Sequence, residues 1–482
     1  MFLNDFYKAI IAKGAADNLN DQQFLQYELD EWIHSLTRQS QLDGYGYYMY
    51  RQAIYDKQRT VIGTGGQLQP VYNLPNNKIL DNRYSFLVDQ KTNYLLAKPM
   101  EAKAQDKAQD DKVKSIFGPD FRRTLKNIGK DCLNCGISYL FPYVDNGILK
   151  FKRFHGFEIL PFWADDEHTQ LDAFARMYVQ EVYLGSQKEY IPRVEWYTQD
   201  GVQKFTFEGG SLRPESADIT PYIVVNDEAG QDAKAYNWGM IPLIAFKANE
   251  EELPLIRRVK SLQDGLNEII SNFTDRMEED PRNTVLVVKN YGDNDLGTFR
   301  KNLAQFGAVN VNADDGGVES LKIDVNADNY KALIDLFKSA IIENGRGLDM
   351  KDEKLSAGNP NQMNIQSMYN DIDLDADEME MEFQAALQQT MQFVKKLNPG
   401  IGDVDFIFNR DRMMNETETI TNCKTSTGII SDETIVSNHP WVTDTQAELA
   451  KLKQEKEENI QQFMQQGAQP QPQLTIKDEG DI

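Results

Sequence analysis

The spacing of apolar residues divides the chain into a helical start, a strand-rich middle and a helical end. In residues 82–100, NRYSFLVDQKTNYLLAKPM, the positions Phe86, Leu87, Tyr94 and Leu95 recur at helical intervals until Pro99 stops the run. The first hundred residues read as mostly helical, interrupted at 63–77 by GTGGQLQPVYNLPNN, whose Gly, Pro and Asn predict an exposed loop. Helical periodicity resumes over 105–134. Between 137 and 163 the period becomes two, and Asp145-Asn146-Gly147 predicts a β-hairpin, because an Asn-Gly pair tolerates positive φ. Further strands are expected at 174–183, 193–198 and 204–208, with a turn at Gln199-Asp200-Gly201, giving an α+β domain over about residues 100–250.

From Pro254 the positions Leu255, Val259, Leu262, Leu266, Ile269, Ile270, Phe273 and Met277 step by three and four, and Asp280-Pro281 ends the run. Such a helix is roughly 35 Å long at about 1.5 Å per residue, and Lys260, Asp264, Glu268 and Asp275 are placed on its opposite face. A β-rich insert begins at Thr284-Val285-Leu286-Val287-Val288. A second long helix then carries Tyr330, Leu333, Ile334, Phe337 and Ile341, so that the two bracket a small α/β module over 283–326. The stretch NGRGLDMKDEKLSAGNPNQMN reads as a mobile loop. A third helix follows, with Ile365, Met368, Tyr369, Ile372, Ala376, Met379, Phe383, Leu387, Met391 and Val394 in one stripe, and Asn398-Pro399-Gly400 terminates it. The chain closes with a charged helix from Asp444 that fades into a Gln- and Pro-rich tail expected to be disordered.

Composition adds little to this until charge is counted. With 482 residues, 40% of them hydrophobic, about two to four folded units are expected. The net charge of -24 excludes a generally basic protein that wraps nucleic acid. The beginning of the chain lacks a secretory pattern, and no run of some 18 apolar residues offers a membrane span.

Candidate chemistry is sparse. Cys132 and Cys135 form a CxxC, but Cys423 and the four histidines His34, His155, His168 and His439 stand singly, so packing is favoured over zinc or redox work. Gly63-Thr64-Gly65-Gly66 lacks the Lys-Ser/Thr of a phosphate loop, and no nucleophile elbow occurs. The run DIDLDADEMEME at 371–382 has the carboxylate spacing of a calcium loop, yet Ala376 stands where that loop needs Gly. The apolar stripe also continues through it, which predicts a solvated acidic helix face. Lys150, Lys152 and Arg153 among Phe151, Phe154 and Phe157 read as a half-buried strand with its charges outward, in preference to a single-strand nucleic-acid platform. Lys351 and Lys354 are a basic pair on the mobile loop. No constellation for catalysis and no cofactor site is found.

In order and texture these segments resemble the portal proteins of tailed bacteriophages, of the type found in long-tailed phages of Gram-positive hosts, over about residues 48–452. NRYSFLVDQKTNYLLAKPM is similar to the family's early helix and YLFPYVDNGILKFKRFHGFEILPFW to its wing strands. KLSAGNPNQMNIQSMYNDIDLDA resembles the passage from tunnel loop to long wing helix, and KTSTGIISDETIVSNHPWVTDTQAELAKL the crown segment.

The resemblance implies an N-terminal region and wing at 1–253, a first stem helix at 254–280, a clip at 281–327 and a second stem helix at 328–346. A tunnel loop at 347–362, a long wing helix at 363–400, a crown at 401–460 and a tail at 461–482 would complete the chain. The stem residues would be Val259, Leu262, Leu266, Ile269, Phe273, Leu333, Phe337 and Ile341. Lys351, Lys354, Ser356, Asn359 and Asn361 would lie on the tunnel loop, and Asp293, Asp295, Arg300 and Lys301 on the clip. Implied too are a ring of twelve copies in the virion and passage of double-stranded DNA without sequence specificity. The implied partners are the terminase large subunit, a head–tail adaptor, and the major capsid and scaffolding proteins. A phage head or connector protein without a channel is the alternative, and a nucleotide-dependent enzyme a weaker one.

Overall fold

The computed structural model describes residues 21–62, 66–216, 218–226, 233–279, 285–289, 317–321, 327–349, 362–410, 416–442 and 445–466. Packing divides the chain into two compact units, Met1–Asp349 with Asp371–Asp411, and Met350–Asn370 with Arg412–Ile482. Helices of the first unit are α1 (Asp21–Ile33), α2 (Leu36–Tyr48), α3 (Arg83–Leu96), α4 (Asp110–Ile116), α5 (Pro119–Cys135), α6 (Ile256–Glu279) and α7 (Ala327–Asn344). To these α8 (Gln362–Leu397) adds its part from Asp371 onward.

The strands begin with β1 (Thr60–Ile62), just before the expected loop region, and β2 (Leu68–Pro70) inside it, which form an exposed antiparallel pair, and β3 (Glu101–Ala104). β4 (Ile137–Asp145) and β5 (Ile148–His155) form the expected hairpin. Its turn residues Asn146 and Gly147 have φ of 51° and 76°, the left-handed values that a two-residue turn of this kind needs. β6 (Ile159–Trp163), β7 (Leu171–Leu184), β8 (Gln187–Thr198), β9 (Gly201–Glu208) and β10 (Ser211–Pro214) make a five-stranded antiparallel meander in sequence order. β11 (Ile223–Asn226) pairs with β12 (Ala233–Tyr236), and β13 (Ile244–Lys247) adds to β4, with Lys247 opposite Ile137. β14 (Val285–Lys289) pairs with β15 (Gly317–Leu321), and β16 (Val404–Ile407) returns to pair with β3.

The period of two explains the layering. On β7, Ala173 and Ala175 face one side of the meander, where Phe24, Leu25 and Leu29 of α1 pack with Phe162, Trp196 and Phe205. Phe174 between them faces the other side, against Tyr139 and Phe154 of the three-stranded sheet. That sheet repeats the trick. Its Ile137 and Tyr139 meet the meander, while Leu140, Ile244 and Phe246 meet a helical layer of α3, α5 and α8 through Leu87, Ile128 and Phe383. Each fully buried Leu, Ile or Phe contributes about 1.5–3 kcal/mol to holding these layers together.

Among the described residues of the first hundred, α1, α2 and α3 supply the expected helices, and no α-helix is found between α2 and α3, where Gly, Pro and Asn are dense. Two expectations need correction. Phe86 is 45% exposed and lies off the buried face of α3, which instead runs through Tyr84, Leu87, Val88, Lys91 and Leu95. Arg153 is not simply turned outward, since its guanidinium meets buried Asp131 of α5 at 3.1 Å.

In the second unit, α9 (Glu416–Thr425), α10 (Asp432–Ser437) and α11 (Thr445–Gln466) succeed one another. Ser431 caps α10 by accepting the Thr434 N–H, and buried Cys423 directs its thiol at the Ile435 carbonyl.

Candidate functional site

The two long helices expected as a pair do pack together, α6 against α7, in antiparallel sense. Phe273 near the end of one meets Tyr330 near the start of the other in a tilted ring contact, with centroids 4.9 Å apart. At mid-helix Gly265 leaves room for Phe337, since a Cβ there would lie 2.7 Å from its ring. Val259, Leu266 and Ile341 are fully buried in the main core, and Leu262 and Phe337 pack against it partly exposed. Ile269 and Phe273 are half-buried, whereas Leu333 is 44% exposed and Met277 is 48% exposed, so the expected stripe loses its cover toward the far end of α6.

What replaces it there is a column of polar side chains that the apolar pattern concealed. Gln263, Asn267, Ser271, Asp275 and Glu279, four residues apart, are all buried. The first four meet the segment that leads into α3, accepting hydrogen bonds from alternate backbone N–H groups in reverse order. Asn77 donates to Asp275 at 2.6 Å, Ile79 to Ser271 at 2.9 Å, Asp81 to Asn267 at 3.0 Å and Arg83 to Gln263 at 2.9 Å. Four helical residues rise about 6 Å and two extended residues about 6.6 Å, so the two repeats match closely enough to stay in step over this length. Helix side chains thus take the part of a neighbouring strand for a segment that has none.

Lys57 closes one end on Asp275 at 2.8 Å, and Arg59 meets Glu279 at 3.0 Å. Burial would raise the Asp275 carboxyl, but Lys57 and Asn77 outweigh it and hold its pKa low. Asp275, expected on the solvent face, therefore belongs to the buried one. A polar residue every fourth position was readable in the sequence; its partner segment was not.

A second charged centre fixes the chain as it leaves α7. Arg346 takes a left-handed φ of 48°, and the Gln90 side chain binds Leu348 in both directions, each at 2.8 Å. Lys91 of α3, only 4% exposed, donates to the Arg346 carbonyl at 2.9 Å and to Asp375 of α8 at 2.7 Å. Asp375 also receives Arg258 of α6 at 2.8 Å and Arg346 at 2.7 Å. Burial raises the Asp375 carboxyl, yet the three cations together bring its pKa below the ordinary value. For Lys91 burial prevails. Its pKa is lowered by desolvation in spite of Asp375, and the nearby positive charges of Arg258 and Arg346 push it the same way.

The acidic run is helical throughout, in agreement with the periodicity, but it is not merely solvated. Besides Asp375, Asp373 and Glu380 bind Arg410 at 3.0 and 2.8 Å, Asp377 touches the same guanidinium, and the Tyr94 hydroxyl donates to Asp373. These cations lie far away in sequence, which is why the run looked exposed.

Among the described residues no group of three or more His, Cys, Asp or Glu is arranged to hold a metal, and no helix is long and apolar enough to cross a membrane. Cys132 and Cys135 are free and fully buried, and desolvation raises both thiols well above their ordinary range. That is the state of packed, unreactive thiols. Lys351, Lys354, Ser356, Asn359 and Asn361 lie outside the described residues, as do Asp293, Asp295, Arg300 and Lys301.

Comparison with known proteins supplies a family. The family model described as "Phage portal protein, SPP1 Gp6-like" matches residues 26–462. The portal protein of Bacillus phage SPP1 is 28% identical over 434 residues, covering 86% of this chain and 83% of its own length. That of Clostridium phage phiCD119 is 25% identical over 441 residues, covering 87% of this chain and 93% of its own.

Proposed function

Because the chain belongs to the SPP1 Gp6-like family of phage portal proteins, structural components of the virion and not enzymes, we propose that twelve copies of it close into a ring at one capsid vertex. The ring is the passage through which double-stranded DNA is packaged and ejected. Its clip, 281–327, docks the terminase large subunit during packaging and a head–tail adaptor afterwards, while the wing meets the major capsid and scaffolding proteins. α6 and α7 are the stem helices, and the long part of α8 is the wing helix.

The observation that carries this reading is the helix pair that a single copy leaves incompletely covered. Leu333 is 44% exposed, Leu336 is 62% exposed and Met277 is 48% exposed along α6 and α7. A neighbour in a closed ring, contacting through a head-to-tail interface, covers such residues twelve times over. The negative charge of the chain, -24, suits a conduit in which DNA must slide, since a basic lining would hold its phosphates.

Negative-stain images of the purified full-length chain test the reading. Rings with a central hole are expected, and a persistent monomer in sedimentation under all assembly conditions overturns it. Within such rings Lys351 and Lys354 are the tunnel-loop groups that touch passing phosphate. Charge reversal to Glu at both should cut DNA packaging at least several-fold while rings still form; unchanged packaging removes the two lysines from the mechanism.

A further inference from the structure

The centre at Asp375 is out of balance. Lys91, Arg258 and Arg346 converge on it from α3, α6 and the end of α7, and among the described residues it is the one carboxylate within ion-pairing distance of any of them. Three cations against one carboxylate leave two positive charges. Water reaches the inner pair poorly, because the Lys91 side chain is only 4% exposed and the Asp375 side chain 13% exposed.

The surplus also has donors to offer. Arg258 spends a single terminal nitrogen on Asp375, at 3.1 and 2.8 Å to its two oxygens. Arg346 likewise uses one terminal nitrogen, at 2.7 Å. The remaining N–H groups of both guanidinium groups have no partner among the described residues, and the two side chains are 33% and 43% exposed. Two planar forks with free donors, held side by side by one carboxylate and reachable from solvent, are the arrangement that binds a tetrahedral oxyanion of up to two charges.

We propose that Arg258 and Arg346, with Lys91 behind them, form a binding site for one phosphate group. Asp375 is its positioning residue, holding both guanidinium groups at a common point while occupying only part of their hydrogen-bonding capacity. Free phosphate and the phosphodiester of a nucleic-acid backbone share this chemistry. The site stands on the charges of one chain and does not depend on ring formation.

The experiment is a titration of the full-length protein with inorganic phosphate at constant ionic strength, against chloride, followed by calorimetry and by the thermal midpoint. Saturable binding and a midpoint that rises with phosphate are expected. In Arg258→Gln, Arg346→Gln and the double variant, folding checked by circular dichroism, the affinity should fall at least tenfold for the double variant and by less for each single one. An unchanged phosphate response in the double variant, or no saturable response in the parent, overturns the proposal. If only one single variant folds, its affinity decides in the same way. A second arm uses a short DNA duplex as competitor. Displacement of phosphate that needs the two arginines assigns the site to the nucleic-acid backbone, and phosphate binding without competition assigns it to the free anion; both support the site. A protein that stays monomeric yet binds phosphate through these residues overturns the ring and leaves this inference standing.

Discussion

Two charged centres lie side by side on α8, built in opposite senses. At Asp375 one carboxylate holds three cations, and at Arg410 one guanidinium holds Asp373, Asp377 and Glu380. Their surroundings differ more than their charges do. Asp377 is 61% exposed, so water shares in the second centre, whereas Lys91 at the first is 4% exposed and relies on protein partners. Burial therefore decides what each centre is worth. An exposed charge that loses its partner turns to water, but a buried one carries the full desolvation cost.

The comparison breaks most directly at its two hubs. Asp375→Ala strands Lys91 and should cost about 3–5 kcal/mol, the range for removing one partner of a buried ion pair. Arg410→Ala leaves three carboxylates, of which Asp377 at 61% exposure hydrates freely, and should cost about 2 kcal/mol. Urea denaturation of the two variants reads this difference, and equal losses would show that exposure does not separate the centres. Adding Lys91→Met to Asp375→Ala should restore about 2 kcal/mol, since it removes the ion left unpaired. A double variant less stable than the single one would mean that Lys91 is held by its contact with the Arg346 carbonyl instead.

Acid sharpens the same contrast. The Asp375 carboxyl is lowered from its ordinary 3.8 by its three cations, so the folded state binds its proton more weakly than the unfolded state does. The stabilisation is complete above about pH 4 and is lost as pH falls through the lower, folded value. Stability should thus hold level from neutral pH to about 4 on account of this group and then decline. Subtracting the curve of Asp375→Ala from that of the parent should isolate the decline below pH 4; a difference already falling at pH 6 would assign the acid response to another group.

Why these centres escaped the sequence is a matter of range. Periodicity reports which side of a helix is apolar, and it placed Ile372, Ala376, Met379 and Phe383 on the buried side of α8. It also showed that Asp371-Ile372-Asp373 continues a helix and is no calcium loop. It reports nothing on whether a carboxylate between those positions meets a cation 284 residues away, as Asp375 meets Lys91. The hairpin at Asn146-Gly147 was legible because turn chemistry is local. The column on α6 was half legible. Gln263, Asn267, Ser271 and Asp275 stand at the right interval, but hydropathy sends polar side chains to the surface, and only the unpaired backbone of residues 77–83 calls them inward.

The smallest effect is the sharpest check on the role of exposure. Asp377 touches the same guanidinium as Glu380, and on contact alone the two are equivalent. Their exposure is 61% and 21%, so the Asp377 pair is screened and its carboxylate loses little by returning to water. Asp377→Asn should change stability by no more than about 0.5 kcal/mol, and raising the salt concentration should erase even that. Glu380→Gln should cost about 1–2 kcal/mol and depend less on salt, because its contact is closer to the protein interior. If the order were reversed, the Arg410 centre would owe its strength to its most exposed member, and burial would no longer explain why two neighbouring charge clusters on one helix behave differently.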